Sequence, residues 1–254
     1  MKNYLFLALL FSIFTFTSCK KDGDGGSRKI TISPKKSCKS LLIIAEDRSG
    51  STTDHRKLNE NDYLKIFNQF QENANGQMAV RVIGNPAPAE REFFMLPIKG
   101  QKQFKVIPKD ALMSQKGKLR KLNEEIAIEN IQISKNNLTA IKGFIANNVT
   151  KHILNYKPHK NKDITNIQDA LHHLELKVHE PTFRNYDNIN ILIVSDGIHD
   201  ATKLKNKLVF NPEVTTNLFL IGWKDKSVFK NISNVESFES VNGFIEYYKT
   251  ITCK

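Results

Sequence analysis

The stretch Leu41 to Ser51, LLIIAEDRSGS, constrains the fold of this chain more than any other segment. Its apolar residues read as a buried strand, which runs at once into Asp47-Arg48-Ser49-Gly50-Ser51. A second apolar strand, Ile191 to Val194, ends in the same way at Asp196-Gly197. Between them, the polar loop Asp163-Ile164-Thr165-Asn166 precedes a helix with Ile167, Ala170, Leu171 and Leu174 on its apolar side. In a parallel sheet, loops at the carboxyl ends of the strands meet in one crevice. Asp47, Ser49, Ser51, Thr165 and Asp196 can therefore share one site although they lie far apart in the chain.

The residue types at that crevice are hard oxygen donors. Ser49 and Ser51 follow Asp47 at alternate positions, and alternate residues of an extended segment share a face. A carboxylate and two hydroxyls suit Mg2+ or Mn2+ better than zinc or copper, which favour nitrogen and sulfur ligands. Asp, Ser and Gly also build ordinary turns, so the first loop alone leaves both readings open. The Thr165 and Asp196 segments favour the metal.

This constellation resembles the metal-ion-dependent adhesion site of von Willebrand factor type A (vWA) domains. That family pairs a D-x-S-x-S loop, here DRSGS at 47–51, with a distant Thr, here Thr165, and a distant Asp, here Asp196. The resemblance spans roughly residues 37–253. It implies a three-layer α/β/α, Rossmann-like vWA fold, with a mostly parallel central sheet and one antiparallel edge strand. It also implies that Ser49, Ser51 and Thr165 face the ion through their hydroxyls, while Asp47 and Asp196 act directly or through water. An open coordination position would then receive an Asp or Glu from a protein ligand.

The amino terminus suggests a compartment. Met1-Lys2-Asn3 is a short basic start, and Tyr4 to Phe16 is a nearly unbroken apolar run. The run is too short to span a bilayer and suits a signal-peptide core. It ends at Thr17-Ser18-Cys19, which looks like a bacterial lipobox with Cys19 as the acylated first residue of the mature chain. A plain secretory signal with an incidental cysteine is the alternative. The expected organisation is a signal peptide at 1–18, a lipidated flexible tether at 19–36 and the vWA-like domain at 37–254. The expected location is extracytoplasmic in a bacterial envelope, lipid-anchored to a membrane, with the outer membrane the first choice.

Removal of residues 1–18 leaves 236 of the 254 residues, enough for one large core. It also takes Lys2 with it and lowers the formal charge from +12 to +11. The basic residues look scattered, as at Lys35, Lys36 and Lys39 and again at Lys116, Lys118, Arg120 and Lys121. No arginine stripe interleaved with aromatics appears, which argues against nucleic acid; a positive surface favours acidic partners. Only Cys38 and Cys253 remain after Cys19. In an oxidising compartment a lone pair is expected to be bridged, and some vWA domains join their two ends in this way. Two unpaired thiols at the chain ends are the alternative.

The remaining pattern alternates strands and helices. Strands are expected at 40–46, 77–83, 91–98, 189–195, 215–222 and 234–238, with a further short one at 103–107. The link between the second and third is too short for a crossover helix, so they should pair antiparallel, with Pro97 on an edge strand. Helices are expected at 60–73, 166–175, 200–208, 225–232 and 240–251. Residues 111–157 read as two helices broken near Lys135 to Asn137.

No catalytic constellation stands out, because Ser49 and Ser51 have no nearby His–Asp pair. The expected function is therefore binding, with no enzyme activity. A metal-dependent hydrolase of phosphoryl or acyl substrates, with His199 or Glu46 as base, is one alternative; a structural scaffold in an envelope complex is another. His172 and His173 are adjacent and diverge around a helix, so they are expected at the surface rather than on zinc.

Overall fold

The computed structural model describes residues 39–48, 57–83, 93–157, 167–183, 185–197, 216–223, 229, 232 and 234–251. Every described residue belongs to one compact unit, residues 34–254.

Six described strands form one sheet: β1 (Lys39–Asp47), β2 (Asn75–Ile83), β3 (Phe94–Ile98), β4 (Asn188–Val194), β5 (Thr216–Ile221) and β6 (Val235–Phe238). Their spatial order is β3-β2-β1-β4-β5-β6. All neighbours pair parallel except β2 and β3, which pair antiparallel and leave β3 at the edge with Pro97 opposite Gln77. The architecture is a generic three-layer α/β/α sandwich of Rossmann-like type with a mostly parallel sheet and one antiparallel edge strand.

Period-two alternation sorts the strand side chains between two cores. Leu42, Ile44, Met78, Val80, Leu192 and Phe219 face one helix layer. Leu41, Ile43, Ala45, Ala79, Ile191 and Leu220 face the other. Burial on both faces explains why β1, β4 and β5 read as continuous apolar runs.

On the first face lie α1 (Glu60–Asn73), the end of α2 (Met113–Phe144) and α4 (Val241–Thr250). A capping box opens α1: Asn59 Oδ1 accepts from Asp62 N, and Asp62 Oδ2 accepts from Asn59 N. Tyr63, Ile66, Phe67 and Phe70 then recur at helical spacing and are fully buried. Ser240 caps α4, and Asn190 of β4 donates to Tyr248 Oη, tying α4 to the sheet. The second face carries α3 (Ile167–His179), where Ile167, Ala170, Leu171 and Leu174 are buried as expected. Among the described residues no helix is long and apolar enough to cross a membrane.

Two expectations between β3 and α3 are revised. Residues 111–157 are not broken near Asn137. α2 runs unbroken for 32 residues and passes directly into a π-helical segment, Ile145–Leu154. Residues 103–107 are not a strand. They belong to a strap, Lys99 to Lys109, held against α2 by side chains rather than by a β ladder.

One reason accounts for both differences. Asn137 accepts from Lys99 N and donates to Lys99 O. Asn130 makes the same pair with Lys102, at 2.7 and 2.9 Å, and Asn123 with Lys105. Lys116 continues the row by donating to Lys109 O. Seven helical residues rise about 10.5 Å, and three extended residues advance about 10 Å. Each second turn of α2 thus meets every third residue of the strap, so asparagines that suggest a helix break instead replace a strand's partner.

The predicted bridge between Cys38 and Cys253 is corrected. No disulfide is present, and none of the three cysteines is near disulfide distance of another. A bridge needs Cα atoms within about 7 Å. Lys39 opens β1 inside the sheet, whereas α4 lies in the layer covering β5 through Phe244 and Tyr248 on Phe219. The two ends therefore approach the same pole in different layers. The cysteines themselves, including Cys19, fall outside the described residues, as do the segments 200–208 and most of 225–232 expected to be helical.

Candidate functional site

Strand order reverses between β1 and β4: the chain steps outward from β1 through β2 to β3, and from β4 through β5 to β6. The crevice beyond the carboxyl ends at such a switch point is where open α/β sheets bind ligands. Asp47 is the last residue of β1, and Asp196 stands two residues beyond β4. These strands are direct neighbours, with Glu46 opposite Val194.

Asp47 is fully buried. Ser195 Oγ donates to Asp47 Oδ2 at 2.8 Å and accepts from Gly197 N at 3.1 Å. Asp196 thus sits in a short loop whose two flanks are fixed, one of them to Asp47. Gly197 has φ +75°, and a Cβ there would lie 2.8 Å from the Trp223 indole. Only glycine combines that left-handed backbone with so close a ring.

The adjacent Glu46 points to the other face and closes the loop from behind. Its Oε1 accepts from Leu58 N at 2.7 Å, and its Oε2 accepts from Tyr63 Oη at 2.5 Å. Arg48 Nη2 lies 2.8 Å from Oε1 and donates to Leu58 O at 2.6 Å. Burial pushes the Glu46 carboxyl up to about 7, against the opposing pull of Arg48 and of the Tyr63 and Leu58 hydrogen bonds. Burial, and then the Glu46 charge, raise the Tyr63 phenol. The cluster staples the exit of β1 to the entry of α1, so the intervening D-x-S-x-S segment leaves and returns at fixed points.

α3 approaches the same pole. Arg81, near the carboxyl end of β2, donates to Ala170 O in the first turn of α3 and lies 5.0 Å from the Phe93 ring centroid. Ile167, two residues after Thr165, is buried in the core beneath. Ser49, Ser51 and Thr165 themselves lie outside the described residues, as does His199. The structure therefore places Asp47 and Asp196 at the ends of neighbouring strands, with the first turn of α3 held to β2 through Arg81. The candidate donors described there are the carboxylates of Asp47, buried and bonded to Ser195, and of Asp196. Among the described residues no group of three His, Cys, Asp or Glu side chains could hold a metal.

A cavity of about 750 Å³ opens at the carboxyl ends of β5 and β6, lined by Leu58, Trp223, Phe238 and the starts of α1 and α4. No motif announced it. Ser195, Tyr63 and Arg81 were also missed, since each acts through a partner many residues away. The heptad spacing of Asn123, Asn130 and Asn137 was a visible signal.

The fold and crevice define the class only as a Rossmann-like α/β/α domain with carboxylates at its switch point. No protein-family model matches the chain, and no curated protein matches it.

Proposed function

We propose that this chain is a lipid-anchored, extracytoplasmic vWA-like protein that binds a protein ligand through a divalent metal at an adhesion-type site. Asp47, Ser49, Ser51, Thr165 and Asp196 would hold Mg2+ or Mn2+, and an Asp or Glu of the ligand would complete the shell. The observation that carries this reading is the position of Asp47 and Asp196, at the ends of neighbouring parallel strands where the strand order reverses. The Glu46–Tyr63–Leu58 staple and the Ser195 bond to Asp47 add support, because they immobilise both flanks of an oxygen-rich loop. The bound ion would supply a positive centre for a carboxylate. In this reading the protein is not an enzyme.

The proposed organisation is a signal peptide at 1–18, a tether at 19–36 acylated on Cys19, and the domain from 37 onward. Calorimetric titration of the chain with Mg2+ tests the site. The expected result is one binding event that Asp47→Asn abolishes while circular dichroism stays unchanged. Equal Mg2+ affinity in D47N would remove the metal and, with it, metal-dependent adhesion.

A further inference from the structure

The strap and the first part of α2 form an arm. Asn137 meets Lys99 immediately after β3 ends, so the 24 residues of α2 before Asn137 extend about 36 Å past that edge of the sheet. Ile126 and Ile133 on the strap side are buried, yet they belong to neither of the two cores. No residue from Met113 to Glu125 is buried. β3 runs antiparallel and finishes opposite Gly76, at the amino-terminal ends of β1 and β2. The arm therefore projects from the pole opposite Asp47 and Asp196, where Lys39 begins the domain.

The composition of the tip is unusual for a solvated surface. Phe104 is 56% exposed, Val106 63%, Leu112 67% and Met113 77%. Between Lys102 and Lys121, seven basic residues stand against one acidic residue, Asp110. These apolar groups are exposed on the strap and at the first turn of the helix, over the outer half of the arm. Exposed apolar groups interspersed with long cationic side chains fit a fluid anionic interface, into which the apolar groups sink while the lysines reach the headgroups.

We propose that this arm is a membrane-docking element that inserts Phe104, Val106, Leu112 and Met113 into the headgroup region of an anionic bilayer. The placement agrees with a tether from Cys19: twenty residues separate it from Lys39, a reach of at most about 70 Å. Docking would hold the Asp47 pole away from the lipid. The inference is independent of the metal, and D47N should dock like the parent.

The test uses the full chain carrying Phe104→Trp, with the buried Trp223 as a constant background. It is mixed with vesicles of phosphatidylcholine, alone or with phosphatidylglycerol. On the anionic vesicles, emission from the introduced indole should shift to the blue and be quenched by lipids brominated on the acyl chain, and added salt should reverse both. Adding K118Q/R120Q/K121Q, all surface changes, should lower the inserted-to-free ratio on the order of a hundredfold. Unchanged emission on anionic vesicles would overturn the proposal, as would equal insertion into neutral ones. Protection of the introduced indole by soluble polyglutamate, with no response to vesicles, would assign the arm to an acidic protein instead.

Discussion

Asn130→Ala removes the middle rung between strap and helix. Asn130 is 9% exposed and gives Lys102 both a hydrogen-bond acceptor and a donor. A typical intramolecular hydrogen bond contributes about 1 kcal/mol net, so the pair is worth about 2 kcal/mol. That corresponds to about a thirtyfold change in the equilibrium between closed and lifted strap. The effect should be local, because Asn130 belongs to neither core and global unfolding is governed by the sheet. Native-state hydrogen exchange at the Lys102 amide should speed up by about that factor, with the denaturant midpoint nearly unchanged. Lys99 and Lys105 keep their own asparagines and should respond less. Gln132→Ala, at an exposed position two residues away, should leave all three amides as they are. An unaltered Lys102 exchange rate in N130A would show that the asparagine row does not hold the strap, and α2 would then need another reason to run unbroken through Asn137.

Tyr63→Phe should destabilise the domain by about 1–3 kcal/mol in urea titration, because a buried carboxylate oxygen of Glu46 loses its phenol donor; a midpoint equal to the parent would refute the staple. Gly197→Ala should lower stability by about 1–3 kcal/mol through its positive φ and the Trp223 contact, and should weaken Mg2+ binding by displacing Asp196; calorimetry reads the second effect and thermal unfolding the first. Thr165→Val removes a proposed ligand oxygen at nearly constant volume, and Mg2+ affinity should fall by about one to two orders of magnitude; full affinity in T165V would mean that the Thr165 loop does not reach the ion. Cys19→Ser should move the protein out of the membrane fraction or leave its signal uncleaved, and intact-mass analysis of the mature chain would reveal a lipid or its absence.

The sheet is legible in the residues alone. Apolar runs at 41–45 and 191–194, each ending in a turn-forming loop, read as buried strands, and strands buried on both faces need helices on both sides of the sheet. The short link before Pro97 was enough to make β3 antiparallel and place it at the edge. That Asp47 and Asp196 both follow strands of one parallel sheet was also readable; that β1 and β4 are neighbours came only from the fold. The readable features follow from local periodicity and from which backbone groups need partners.

Packing settled the rest, because the deciding interactions join distant residues whose types are locally ambiguous. Glu46 looks like any charged residue at a strand end until Tyr63 and Leu58 close on it and burial raises its pKa. Asn137 reads as a helix break in sequence, yet its amide bonds Lys99 across a gap of 38 residues and helps hold one long helix against the strap. The bridge between Cys38 and Cys253 was reasonable from compartment and spacing, but a disulfide depends on a few ångströms of Cα separation. The seven basic residues of 102–121 are close in sequence, but only the fold sets them on an arm beside exposed Phe104, Val106, Leu112 and Met113. Periodicity fixes which face a residue presents; only packing fixes what meets it there.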